Sequence, residues 1–339
     1  MEKRKIKIKF QNGLSFKGFK EEVFDVNGVS ALFDFEETTD ADFIVFGPYG
    51  NDIPPTGNYI RVGYFCEKID PDLTICEWAF GIPHEEKIIN PRYKRIQWHG
   101  TDPKSLIKPD NYNTTETANT KTRFCNFLYT HRVNYRERFF KQLSAYKTID
   151  APGRSMNNMQ SIDELFKGNM WERKRQFLLN YKFTIAFENY IYPGYQTEKL
   201  YDAMLTNSIP IYFGDPLISS IFNKASFINA ADYMEVKNKQ LIMWLEKKGQ
   251  LDFVDIRPMF FKAQQHRIKR KFKTLCRDLK MRLLFNSVDF SKLIDRIIEL
   301  DQDKEKYMAM LAQPWFIDNT PPANSLSRDR WVEIFTSAK

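Results

Sequence analysis

Lys182-Phe-Thr-Ile-Ala-Phe187, a loop containing Pro193-Gly194, the segment Thr197 to Asn207, and Ile209-Pro-Ile-Tyr-Phe213 follow one another in the second half of the chain. The first and last are short apolar runs bounded by turn-like residues, the pattern of buried parallel strands. Between them Leu200, Ala203 and Met204 fall on one face of a helix, and Asn207 supplies a stop signal. Strand, loop, helix and strand is the unit of an α/β sheet. Phe124 to Tyr129 reads as another strand, and Tyr135 to Ala145 as a helix with Phe139, Phe140 and Leu143 on one side. Toward the N-terminus, Ile6 to Phe10, Ala31 to Phe35, Phe43 to Phe46 and Tyr59 to Phe65 predict a separate sheet. Asp110 to Thr120 is polar and aperiodic, which predicts a linker. The expectation is two α/β domains with a cleft between them, residues 1–118 and 119–339.

Length supports the division, since 339 residues exceed what one hydrophobic core usually serves. Four cysteines are too few for a disulfide scaffold and none lies two residues from another, so a reducing compartment is expected. The first ten residues alternate charged and apolar side chains, as a strand does and a signal peptide does not. No apolar run approaches the roughly 20 residues that cross a bilayer. A soluble or peripheral, cytoplasmic protein is the expectation. The formal charge of +8 would suit a nucleic-acid partner, but ten basic residues against one acidic fall between Arg257 and Arg282, leaving the remainder near neutral. Nucleic acid is therefore not expected as a partner.

The densest cluster of reactive side chains is Phe187-Glu-Asn-Tyr-Ile-Tyr-Pro-Gly-Tyr-Gln-Thr-Glu-Lys199. It lies where ligands gather in open α/β sheets, beyond the carboxyl end of a strand, with free amides of the next helix available to a phosphate. A lysine in that first turn opposes the helix dipole unless an anion is present. Lys182 to Asn189, Gly194-Tyr-Gln-Thr-Glu-Lys-Leu-Tyr-Asp202 and Ile209-Pro-Ile-Tyr-Phe-Gly214 together resemble the signature of the α1,3/4-fucosyltransferases. Tyr135 to Leu143, Ile149-Asp-Ala-Pro-Gly-Arg154 with Asn157-Asn158, and Phe222-Asn-Lys-Ala-Ser-Phe-Ile-Asn229 extend the resemblance over residues 121–230. Tyr190 and Phe213 depart from it, standing where Ser and Trp are common.

The resemblance implies two Rossmann-like domains facing a cleft, the GT-B glycosyltransferase fold, with the acceptor held by the first and GDP-fucose by the second. It implies transfer of fucose to O3 of a GlcNAc or glucose unit in a glycan, such as a lipopolysaccharide O-antigen. Carried over by position, Arg136, Arg154, Asn189, Tyr195, Glu198 and Lys199 become donor contacts. Fixed cations there would offset the charge on a departing diphosphate, and Glu198 would hold a hydroxyl or face the oxocarbenium-like charge. No protein-bound metal or other cofactor is expected, although a divalent ion could stimulate. Asp40-Ala-Asp42, a metal-binding pattern in another glycosyltransferase class, sits at the wrong end of its strand, and the four histidines lack ligand spacing.

Inverting transfer also requires a carboxylate to deprotonate the acceptor. Glu67, at the end of the Tyr59 to Cys66 strand, is the candidate, with Glu77, Glu85 and Glu86 as alternatives. Trp78, Trp98 and His99 fit a sugar-binding face, but core or interdomain packing is the simpler account. From Ile268, residues Phe272, Leu275, Leu279 and Leu283 draw one apolar stripe along a basic helical insertion at about 255–285. Such a helix either rests on an anionic membrane surface, peripheral to the cytoplasmic face, or packs its stripe on the donor domain. Other readings are a related transferase using another nucleotide sugar, an inactive glycan-binding relative, or a basic nucleic-acid-binding protein.

Overall fold

A computed structural model of the chain describes residues 3–257, 264–323 and 326–337. The first lobe contains β1 (Arg4–Gln11), β2 (Phe33–Glu37), β3 (Phe43–Phe46), β4 (Ile60–Phe65), β5 (Ile69–Asp70), β6 (Trp78–Gly81) and β7 (Tyr93–Arg95). All but β5 form one parallel sheet in the order β2-β1-β3-β4-β6-β7. The second lobe contains β8 (Arg123–Asn126), β9 (Ile149–Asp150), β10 (Tyr181–Phe187), β11 (Ile209–Phe213) and β12 (Ile228–Asn229). These make a second parallel sheet, ordered β12-β11-β10-β8-β9. Every residue of β3, β4 and β11 is buried, as strands covered on both faces require. The expected pair of α/β units is present, with strand and helix ends displaced by a residue or two.

Two assignments need correction. The presumed linker contains a helix, Thr114–Thr120, capped by the Asn113 side chain, which accepts from the Glu116 amide at 3.0 Å. Its sequence showed no period because only Ala118 rests on the second-lobe core. The chain also returns to the first lobe after the second. The helix Arg328–Thr336, within the range assigned to the second domain, returns to the first lobe and buries Trp331, Ile334 and Phe335 completely. Trp331 stacks on Phe80 with ring centroids 4.4 Å apart, so a division at 118/119 leaves part of the first core on the wrong side.

The basic segment belongs to a longer excursion. Strands β13 (Glu235–Val236) and β15 (Val288–Asp289) pair antiparallel, so residues 237–287 leave and rejoin the second lobe at one place. Within the excursion, β14 (Leu251–Asp252) crosses to pair in parallel with β5 of the first lobe, and Phe253 packs edge-on against Phe65 at 5.0 Å. The helices Lys239–Lys248 and Gln264–Ser287 pack on each other. Residues 258–263, including Lys262 of the basic run, lie outside the described residues. The expected apolar stripe does not pack on the donor domain: Ile268 is 65% exposed and Leu275 63%. The buried face instead carries Lys273, Cys276, Lys280 and Leu284. Lys273 is drawn inward by Asp252 and Asp255, and Lys280 by Glu246. No helix among the described residues is long and apolar enough to cross a membrane, and the four cysteines are free thiols.

Candidate active site

Beyond the end of β10, Glu188 is fully buried, and its carboxylate accepts from the Thr197 amide at 2.8 Å and the Thr197 hydroxyl at 2.7 Å. Thr197 caps the helix Glu198–Leu205. The helix start expected to offer free amides to a phosphate is therefore engaged by an internal carboxylate, which corrects that part of the reading. Lys199 Nζ lies 3.1 Å from Glu198 Oε1 and 3.6 Å from Glu188 Oε2. Two carboxylates thus supply the anion that a first-turn lysine needs. Burial disfavours the Lys199 ammonium, but Glu188 and Glu198 outweigh it and hold the pKa above its ordinary value. Burial also opposes ionisation of Glu198, yet Lys199 and Lys174 bring its pKa down to about 2. Burial dominates at Glu188 and raises its pKa.

Arg136 is different. On the helix Asn134–Leu143 its side chain is fully buried, with the guanidinium carbon 3.9 Å from the centre of the Tyr129 ring. It donates to the Phe187 carbonyl at 3.2 Å and to Asn189 Oδ1 at 3.3 Å. Its Nε has no partner, and no ion pair to a carboxylate is formed among the described residues. Burial raises the pKa of the Tyr129 phenol, with the charges of Arg136 and then Lys199 opposing it, so both cations act at one place. A buried guanidinium without a counterion is costly, and an anionic ligand would offset it.

Glu67 follows β4 by two residues, accepts from the Tyr49 hydroxyl at 2.5 Å, and lines a cleft cavity of about 490 Å³ together with Asn189 and Tyr190. Burial, then the Glu67 carboxylate, raises the pKa of Tyr49, which keeps that phenol a donor. The loop between β10 and its helix closes on the first lobe at Gly194. There φ is +88° and an added Cβ would stand 2.8 Å from the Ile82 carbonyl oxygen, so glycine alone fits comfortably. Tyr195 is buried beside Tyr190, ring centroids 5.6 Å apart. Burial raises its phenol's pKa, and the charges of Glu188, Glu67 and Glu198 add to the shift, so Tyr195 feels carboxylates of both lobes.

The remaining candidates divide. Arg154 is exposed and its side chain forms no hydrogen bond or ion pair among the described residues, although its loop is held to Tyr129 by the Ser155 amide at 3.0 Å. Among the alternative bases, Glu77 is tied to Arg61 at 2.7 Å, and Glu85 accepts from the Arg95 amide at 3.0 Å. Trp98 is buried against Tyr201 and Phe316, and His99 bonds Tyr64 and Glu22 at 3.1 and 2.9 Å, both packing roles. Phe213 lies in the core against Tyr135 and Phe187, away from the cavity that Tyr190 lines. Among the described residues no group of three His, Cys, Asp or Glu side chains could hold a metal ion. Sequence reasoning did not assign a role to Glu188, Tyr49 or Lys68. Glu188 was signalled by its place beyond a central strand, whereas Tyr49 and Lys68 acquire meaning only when folding brings Glu67 and residues 237–287 beside them.

Residues 118–282 match the model of the glycosyltransferase family 10 (fucosyltransferase) C-terminal region. This stretch of the chain is thus similar to the family 10 glycosyltransferases. The matched stretch holds Arg136, Arg154, Asn189, Tyr195, Glu198 and Lys199, while Glu67 lies outside it. The chain is 36% identical over 127 residues to a protein of Acanthamoeba polyphaga mimivirus named as a fucosyltransferase, covering 36% of this chain and 21% of that protein. It is 32% identical over 119 residues to the alpha-(1,3)-fucosyltransferase FucT of Helicobacter pylori, covering 35% of this chain and 23% of the relative. Thus the chain spans less than a quarter of the length of these curated relatives. An alpha1,3-fucosyltransferase solved with GDP superposes with a TM-score of 0.63 at 20% identity, covering 100% of this chain and 92% of that one. The fold of the chain is thereby the two-lobed GT-B arrangement.

Proposed function

We propose that the protein is an inverting α1,3-fucosyltransferase that moves fucose from GDP-fucose to O3 of a GlcNAc or glucose unit in a glycan, such as a lipopolysaccharide O-antigen, without a protein-bound metal. The observation that carries this reading is Arg136, a fully buried guanidinium beside Asn189 and Lys199 with no ion-paired carboxylate. The family match, and solved relatives whose titles name GDP and GDP-fucose, support the choice of donor. As the bond from fucose C1 to the diphosphate oxygen breaks, negative charge grows on the leaving GDP, and Arg136 and Lys199 stabilise it. Glu67 takes the proton of the acceptor hydroxyl as that oxygen attacks C1 from the opposite face. Glu198, ionised throughout the neutral range by its depressed pKa, offsets positive charge near the anomeric carbon or holds a sugar hydroxyl.

Arg136→Met provides the test, because methionine keeps much of the volume and removes the charge. GDP affinity, read by titration calorimetry, falls about 100-fold, the scale of lost charge-assisted hydrogen bonds. The thermal midpoint without ligand does not fall, since an uncompensated buried charge has gone. Undiminished GDP binding would overturn the reading.

Within the same proposal the enzyme works at the cytoplasmic face of a membrane. Ile268, Phe272 and Leu275 are exposed on a helix that also carries Arg267, Lys269 and Lys271, a surface that suits anionic lipid. Reversing the charges of Lys269, Arg270 and Lys271 abolishes flotation with phosphatidylserine vesicles; unchanged flotation refutes membrane docking.

A further inference from the structure

The excursion 237–287 does more than expose a basic face. It forms one wall of the cleft: Leu251, Arg277 and Met281 line the cavity shared by Glu67, Asn189 and Tyr190. The wall is fixed to the first lobe next to the candidate base, because β14 pairs with β5 only two residues after Glu67. A carboxylate reinforces the junction. Glu246, from the helix Lys239–Lys248, is ion-paired with Lys68, the residue after Glu67, and with Lys280 of the long helix. The Lys68 ammonium also stands 5.5 Å from the Tyr190 ring centre and 5.2 Å from that of Tyr192.

Three cations and three carboxylates meet here, and burial brings the pKa of Lys68 down to about 7 and that of Lys280 down to about 8. Lys68 and Lys280 share Glu246, while Arg277 has neither an ion pair nor a hydrogen bond among the described residues. Two other acids line the cavity. Glu67 accepts from Tyr49, and Asp278 is exposed and forms no ion pair with its neighbour Arg277. Arg277 is only partly exposed and is backed by Gly249, where an added Cβ would come within 2.8 Å of the arginine stem. Burial raises the Tyr190 phenol's pKa, the Glu67 charge adds to the rise and the Arg277 charge opposes it, so both charges are felt at one ring. A guanidinium in that position presents a planar fork of donors suited to a carboxylate or phosphate.

We propose that Arg277, held in the cleft wall by the excursion 237–287, recognises an anionic group on the acceptor glycan, so that the preferred acceptor carries a carboxylate or phosphate next to the sugar that receives fucose. The inference rests on the fucosyl-transfer reading and names the substrate class of that site. The donor's diphosphate is the other anion available to Arg277, but Arg136 and Lys199 of the second lobe serve it. Removing the excursion's guanidinium therefore alters acceptor choice and spares the donor.

The test compares two disaccharides that differ in one group, β-1,4-linked glucuronyl-N-acetylglucosamine and β-1,4-linked glucosyl-N-acetylglucosamine, both with O3 of the N-acetylglucosamine free. The 6-phosphate of the second serves as a phosphate probe. Initial rates with GDP-fucose are measured for wild type, Arg277→Ala and Arg277→Lys. The wild type favours an acidic acceptor by about tenfold or more in kcat/KM, mainly through KM, as expected for a charge-assisted hydrogen bond. Arg277→Ala brings acidic and neutral acceptors to equality, Arg277→Lys restores part of the preference, and GDP affinity stays the same in all three. Equal use of all acceptors by the wild type, or a preference that survives Arg277→Ala, overturns the proposal. Weaker GDP binding in Arg277→Ala also overturns it, because the guanidinium would then serve the donor. Saturation-transfer NMR with the disaccharides alone reads the same preference without donor or turnover. Loss of fucosyl transfer as the activity is thus distinguishable from loss of the anionic subsite.

Discussion

Glu67 and Glu188 occupy corresponding places in the two lobes, each just beyond the carboxyl end of a strand in a parallel sheet. Their surroundings are opposite. Glu188 is fully buried, accepts two hydrogen bonds from Thr197 and faces Lys199. Glu67 is half-buried, accepts from Tyr49 and borders an open cavity. The first carboxylate is consumed by the fold, whereas the second retains capacity for a substrate. Position on the sheet brings an acid to the cleft; its remaining hydrogen-bonding capacity determines whether it can react.

This contrast can be broken by exchanging one oxygen for an amide at each position. Glu67→Gln lowers the rate of fucose transfer about 10²–10⁴-fold, the usual share of a general base, and leaves both GDP affinity and the thermal midpoint in place. Radiolabelled-donor assays and differential scanning fluorimetry check the two halves. Glu188→Gln, by contrast, leaves Glu198 as the remaining counterion of buried Lys199 and costs about 1–3 kcal/mol of stability, read from urea unfolding. Its effect on turnover follows from the displaced Lys199 and is smaller than that of Glu67→Gln. If Glu67→Gln destabilised the chain and Glu188→Gln did not, the assignment of the two acids would have to be exchanged.

Much of this arrangement was legible in the sequence because parallel strands covered on both faces write themselves as short apolar runs. Ile209–Phe213 and Phe43–Phe46 are both such runs and both are wholly buried. The helix start at Thr197 and the strand-end place of Glu67 could likewise be read from local order. What could not be read depended on partners distant in sequence. Periodicity drew Ile268, Phe272 and Leu275 as one apolar stripe, for a membrane surface or for the donor domain, yet Lys273, Cys276, Lys280 and Leu284 are turned inward. They recur at an equally helical spacing, but two of the four are lysines whose burial is made tolerable by Asp252, Asp255 and Glu246 on other elements. A hydrophobicity pattern cannot register counterions that arrive only on folding. Arg136 similarly resembles any helix arginine until the Tyr129 ring is found beneath it.

The return of Arg328–Thr336 to the first lobe bears on how the protein is made. Translation delivers the strands β1 to β7 first, but Trp331 and Phe335, which fill the space beside Phe24, are more than two hundred residues later. During synthesis the early sheet must therefore wait with an apolar face uncovered until the later lobe has emerged. The lobe that emerges first is completed last, and a chaperone that shields nascent apolar surface has its longest task there.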